Sequence, residues 1–224
     1  MRVLGRLYSR DSRDHLFALS APTPPTQLTE RFWFTSAAYD QGQVPQCVAY
    51  AGVKMLDSGP VRNLKSKLPF SFNDLYNECQ QVDEWAGTPH DGTSVRALFK
   101  ILQKKGYITQ YQWAFDVQTI INYVLTTGPM VVGTYWADSM WNTDSKGFIR
   151  LGGRVVGGHS YMIKGVNTLS KCSDGSIGAF RIINSWGSSW GVNGCASISF
   201  KDFKNLLAAD GEAATATEIL KVNS

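Results

Sequence analysis

The chain changes its period at Gly128-Pro129, and that change limits what it can fold into. Before it, apolar residues recur at helical spacing between helix start and stop signals. Pro45-Gln46-Cys47 opens a long helix, since proline suits the first turn, and Gly59-Pro60 stops it. Ser71-Phe72-Asn73-Asp74 reads as a cap with an acid three residues on, starting a short helix to Cys79. Thr93 or Ser94 opens another, with Val95, Leu98, Phe99 and Leu102 on one face and Gly106 at its end. Asp116 caps one more, with Val117, Ile120, Ile121, Val124 and Leu125 apolar. After Pro129 the pattern is that of strands: Met130–Trp136, Phe148–Leu151, His159–Val166, Ala179–Ser185 and Cys195–Phe200, rich in β-branched and aromatic residues and broken by Gly and Asn. Helices first and strands second is an α+β layout. The last fourteen residues, rich in Ala, Thr and Glu, carry no signal.

The two halves hold residues of one chemistry. Gln41-Gly42 stands shortly before Cys47, His159 lies 112 residues after Cys47, and Asn184-Ser185-Trp186-Gly187 opens a Gly- and Trp-rich run that reaches Gly194. Each residue alone has a plain reading. Cys47 before Val-Ala-Tyr-Ala suits a buried small apolar residue. His159 suits a core histidine, and Asn184 and Gln41-Gly42 suit turns. The joint order Gln, Cys, His, Asn-Ser-Trp-Gly resembles the papain-like cysteine proteases, the family of papain and the cathepsins, over roughly residues 31 to 200. The segment Tyr39-Asp40-Gln41-Gly42-Gln43 and Arg13-Asp14-His15 resemble its bacterial and phage members. Where the family reads Gln-Gly-x-Cys-Gly-x-Cys-Trp, this chain has Val44, Pro45 and Val48 in place of the first Cys, the Gly and the Trp.

The resemblance implies a two-lobe fold: a helical left lobe at about 40–115, a β-barrel-like right lobe at about 116–224, and a cleft between them. Residues 1–30 then form an N-terminal extension before a catalytic domain at 31–224. The extension is shorter than the family's usual inhibitory propeptide. Its Pro-rich connector at 20–27 could lead residues 1–19 over the cleft or onto a lobe surface. The implied function is a cysteine endopeptidase working through a thioester acyl-enzyme. Cys47 would be the nucleophile, His159 its proton partner and Asn184 the residue orienting the ring. Gln41 and the Cys47 N–H would form the oxyanion hole, and Trp186 would shield the His–Asn bond with Trp190 behind it. A free thiol has a pKa near 8.5 and His-paired thiolates reach about 3–4, so the reading requires an imidazolium beside the sulfur. Substrate backbone would run along Gly92. The pocket for the second residue before the cut would be lined by Gly133, Gly157 and Gly158, with no carboxylate in it, so bulky apolar side chains are expected there. Two other readings use the same residues: an amidohydrolase or acyltransferase on a non-protein amide, and a non-catalytic, virion-associated or structural protein.

Composition narrows the partners. A net charge of +4 with scattered basic residues gives no nucleic-acid stripe. No apolar run approaches the roughly 20 residues of a membrane helix, and residues 1–19 lack the apolar core of a signal peptide. A cytoplasmic or virion-associated peptidase acting on peptide or protein substrate is the expectation, without cofactor or metal; His15, His90 and His159 have no ligand spacing. The four cysteines leave three beside Cys47, an odd number that cannot all pair, which suits a fold that survives in a reducing compartment; a Cys172–Cys195 bridge would need the two on adjacent strands.

Overall fold

The computed structural model describes residues 2–221; Met1 and residues 222–224, the outer ends of the expected extension and right lobe, lie outside it. Local chemistry sets the helix starts. Helix α1 (Cys47–Leu56) follows Pro45 with Gln46 at its cap, and so begins on the cysteine itself. Helix α2 (Phe72–Gln80) starts on a reciprocal box: Ser71 Oγ accepts from the Asp74 N–H at 3.1 Å, and the Asp74 carboxylate accepts from the Ser71 N–H at 2.8 Å. Helix α3 (Val95–Lys104) is capped by Ser94, and α4 (Val117–Thr126) by Asp116. These four helices match the sequence reading to within a few residues.

The strands match less completely. A seven-stranded sheet runs β4 (Tyr111–Trp113), β9 (Glu212–Ala216), β5 (Met130–Ala137), β6 (Val155–Lys171), β7 (Ile177–Ile183), β8 (Cys195–Ser199), with β2 (Glu30–Phe32) added to β6. The sheet is open, with β4 and β8 at its edges, rather than closed into a barrel. Phe148–Leu151 is not a strand, because Phe148 makes only an isolated bridge to Ser197. Phe200 ends no strand; it begins α5 (Phe200–Ala208), which Ser199 caps. The tail that carried no signal supplies β9, buried along its whole length between β4 and β5. Alanines give little alternation, so burial on both faces leaves no period of two to read. Because β4 joins this sheet, the strand-rich part recruits residues from before 116. The first thirty-odd residues are woven in as well: β1 (Arg6–Leu7) pairs in parallel with β3 (Thr93–Ser94), while β2 pairs with β6.

Two apolar cores result. One gathers α1, α2 and α3 around Val53, Leu56, Leu98 and Phe99. The other lies under the sheet around Trp136, Phe180 and Phe203. Helix α1 packs against β6, which places the helix start opposite the middle of that strand. No helix among the described residues is long and apolar enough to cross a membrane. All four cysteines are buried and free, and the Cys172 thiol donates to the Gly178 carbonyl at 3.3 Å. Cys172 and Cys195 therefore do not pair. Thermal unfolding should be unchanged by dithiothreitol, within about 1 °C; a drop of several degrees, the size expected from losing a cross-link, would reveal a bridge.

Candidate active site

The site forms where α1 meets β6. Cys47 is the first residue of α1, where unpaired N–H groups and the helix dipole favour negative charge. Across from it, β6 carries His159 and Ser160, and the Ser160 N–H points at Cys47 Sγ at 3.4 Å. Asn184 follows the end of β7, pinned by its N–H to the Gly194 carbonyl at 2.9 Å. Its side-chain oxygen lies 2.8 Å from His159 Nε2. Trp186 stacks on the imidazole at 4.5 Å between ring centres, Trp136 meets it edge-on at 5.0 Å, and Trp190 packs edge-on behind Trp186 at 5.3 Å. The ring is thus held on both sides and at one nitrogen. Its other nitrogen, Nδ1, is buried and has no partner.

Gln41 is tied to the same loop. Its N–H donates to the Ser185 carbonyl at 2.8 Å, and Ser185 Oγ donates to Gln41 Oε1 at 2.6 Å. The amide is therefore oriented, with Nε2 donating to the carbonyls of Val44 at 2.7 Å and Val3 at 3.2 Å. Ser185 was missed in the sequence, although it sits between two residues that were singled out.

Val3 belongs to a segment that lies in the cleft. Arg2 places its guanidinium 5.0 Å over the Trp186 ring. Gly5 passes so close to Pro45 that any Cβ would collide with the Pro45 carbonyl, and its own carbonyl accepts from the Thr93 N–H at 2.9 Å. Gly92, at φ +92°, has the Gly5 carbonyl where a side chain would be. A Cβ on Gly157 would lie 2.8 Å from Leu4 Cδ1, and one on Gly158 would collide with the Arg6 carbonyl. The Arg6 side chain then runs past Gly133 to Glu212, with Nε 2.9 Å from Oε1 and Nη2 donating to the Asp210 carbonyl at 2.6 Å. All four glycines expected along the substrate path line this segment. The expectation that no carboxylate enters their pocket is overturned. Glu212 comes from β9, opposite Gly133 in the sheet register, and β9 was not visible in the sequence. Further along, Arg96 holds the extension through Asp14 at 2.6 Å and the Ser9 carbonyl at 3.1 Å, and is itself paired with Glu84 at 2.6 Å.

The covered cleft sets the charges. Cys47 and His159 are completely buried. Burial pushes the thiol up to about 11, against the pull of the Ser160, Gly5 and Val48 N–H groups. Burial likewise takes His159 down to about 4, opposed by its bond to Asn184. Burial therefore opposes the expected thiolate–imidazolium pair in this state, because both charged forms would stand in a dry site.

No protein-family model matches the chain. No curated protein matches it in sequence either. Solved structures do match in fold. Xylellain, a cysteine protease from Xylella fastidiosa, superposes with a TM-score of 0.68 at 18% identity, covering 100% of this chain and 98% of its own. Digestive procathepsin L 3 of Tenebrio molitor superposes at 0.62 and 15% identity, covering 90% and 74%. The bromelain protease of Ananas comosus does so at 0.59 and 15%, covering 84% and 98%. With helices on one wall of the cleft, an open sheet on the other and these neighbours, the chain has the fold of the papain-like cysteine proteases.

Proposed function

We propose that the protein is a cysteine endopeptidase whose cleft is held closed by residues 2–7. The observation that carries this reading is the His159–Asn184 bond on the sheet wall facing Cys47 at the helix start, with a peptide segment already lying along the cleft beside them. Asn184 occupies Nε2, which leaves Nδ1 as the nitrogen available to the thiol. Once the segment leaves, water returns and the burial that holds both groups neutral is relieved. The proton then passes from Cys47 to His159, favoured by the helix start. The thiolate attacks the scissile carbonyl carbon. The oxygen collects negative charge against Gln41 Nε2, which now donates to Val3, and against the Cys47 N–H. The C–N bond breaks, the leaving amine takes the proton from His159, and a thioester remains. Water, losing a proton to His159, then releases the acid and regenerates the thiol. Substrates are peptides or proteins, matching the segment that occupies the cleft.

The segment survives in place because of its direction. Its parallel pairing with β3 carries the chain from Trp186 past Cys47 toward Gly92, Gly133 and Gly158. Those glycines are the places assigned to residues before the cut, so a substrate's chain would run the opposite way. The segment offers the sulfur a backbone of reversed polarity.

The charge states test the proposal directly. At pH 7 the full chain should show His159 ring nitrogen NMR shifts of a neutral imidazole, and no thiolate absorbance near 240 nm. With the cleft opened by a substitution at Gly5, imidazolium shifts and thiolate absorbance should appear together, because the pair titrates as a unit. An imidazolium in the full chain at pH 7 would contradict the closed, neutral site. An opened chain that stays neutral above pH 6 would remove the basis for Cys47 as a nucleophile.

A further inference from the structure

Lys54 is the seventh residue after Cys47 in α1, so it stands on the same face of the helix, about 10 Å farther along the axis. It is buried, at 3% exposure, although lysine is rarely buried without a paired charge. It reaches the Asp57 carboxylate only through Ser36: Nζ donates to Ser36 Oγ at 2.6 Å, and that hydroxyl donates in turn to Asp57 Oδ2. A second N–H donates to the Ala37 carbonyl at 2.8 Å, and the Tyr39 ring centre lies 3.5 Å from Nζ. The third N–H has only the Ser36 carbonyl, at 3.5 Å. Beside Lys54 lies a cavity of about 10 Å³, room for one water molecule and nothing larger. Ala51 and Lys54 of α1, Ser160 and Tyr161 of β6, and Asn184 and Ser185 line it.

Asn184 ties this cavity to the site. Its Oδ1 accepts from the Ser185 N–H at 2.8 Å and lies 2.8 Å from His159 Nε2. The Ser185 N–H can only donate, so it fixes which end of the amide is the oxygen. The other end, Nδ2, is buried and has no hydrogen-bond partner among the described residues. A buried amide nitrogen left unpaired is costly, and one left unheld lets Oδ1 swing away from the imidazole. We propose that the cavity seats one water that accepts from Asn184 Nδ2 and from Lys54, and that Lys54 is thereby a positioning residue for the His159–Asn184 pair. This rests on the peptidase reading above. The ammonium and Nδ2 are both donors and cannot bond each other; a water, with two lone pairs, is the smallest group that joins them. Its own hydrogens have acceptors at hand. The Ser160 and Ser185 hydroxyls donate to the Val132 carbonyl and to Gln41 Oε1, which leaves their lone pairs free for the water. With an apolar side chain at position 54 the water loses one of its two donors, and the amide loses its rear anchor.

The test has two arms. In the unaltered full chain, the Asn184 side-chain amide protons, identified by their loss in Asn184→Ala, should show a direct NOE to a long-lived water. In the full chain carrying Gly5→Val, whose cleft is open, Lys54→Met keeps the length of the side chain and removes its N–H groups. It should lower kcat on a fluorogenic peptide about 10-fold with KM unchanged within about 2-fold, yet cost less than about 2-fold where Asn184 is already alanine. That non-additivity separates action through Asn184 from a general loss of stability, which would lower both backgrounds alike. If Lys54→Met melts below the assay temperature, Ala51→Val, which fills the cavity and leaves Lys54 in place, should show the same loss and the same dependence on Asn184. Absence of the water NOE in the unaltered chain overturns the water site and the proposal. A loss in kcat under about 2-fold, or one that recurs in full on Asn184→Ala, overturns the positioning role and leaves the peptidase reading intact. An opened chain that hydrolyses no peptide overturns the peptidase reading, and the positioning role with it.

Discussion

Replacing Gly5 by valine in the full chain should raise the rate at which a thiol reagent labels Cys47 at pH 7 by at least about 100-fold. The reason is steric and local. A Cβ at Gly5 would collide with the Pro45 carbonyl, a backbone atom at the start of α1 that cannot step aside. The segment must therefore lift, and with it go the Val3 carbonyl on Gln41, the Gly5 carbonyl on Thr93 and the Arg6–Glu212 pair. A 100-fold gain corresponds to about 2.7 kcal/mol of lost closure, modest beside the contacts named. Deleting residues 1–19 should give the same or a larger increase. Arg96 would lose Asp14 but keep Glu84, so the surface beneath remains paired. Unchanged labelling in both variants, with normal melting curves, would show that residues 2–7 do not control access to the cysteine.

In that opened background, Cys47→Ala and His159→Ala should each reduce peptide hydrolysis by more than about 1,000-fold. Loss of the sulfur removes the atom that attacks. Loss of the imidazole removes both the base that generates the thiolate and the acid that serves the leaving amine. Neither change should unfold the chain, since each shortens a side chain at the cleft rather than splitting a helix or strand. Asn184→Ala is expected to keep more activity, with a loss of about 10- to 100-fold, because Asn184 holds Nε2 but passes no proton. The Trp186 and Trp136 rings would still confine the imidazole. Turnover by Cys47→Ala at the parental rate would disprove the nucleophile. An Asn184→Ala loss as deep as that of His159→Ala would mean that the hydrogen bond does more than orient.

Much of this was legible because its causes are short-ranged. Ser71 with Asp74, Ser94, and Asp116 mark helix starts through bonds to N–H groups within three residues of themselves. Pro45 before Cys47 put the cysteine at a helix start for the same kind of reason. Gln41, Cys47, His159 and Asn184 could be singled out although they are far apart, since their identities and order, with the Trp–Gly run after Asn184, form a recognisable set, and the fold brings them to one cleft. The strand at 148–151 was misread because β-branched and aromatic content alone does not supply a partner; Phe148 has only Ser197.

By itself, then, the sequence determined the starts of the first four helices, the α+β order and the residues that meet in the cleft, because caps, glycines and proline act on their own neighbours and a spaced set of identities survives without coordinates. Tertiary structure alone decided three further things. It turned an alanine-rich tail into the buried strand that delivers Glu212 to a pocket, through a contact with Arg6 that spans 206 residues. It laid residues 2–7 across the cleft, where Gly5, Gly92 and Gly158 let two backbones touch. It also buried Cys47 and His159 beneath a segment from the far end of the chain, and burial of that kind, which no local pattern reports, opposes the charged form of each.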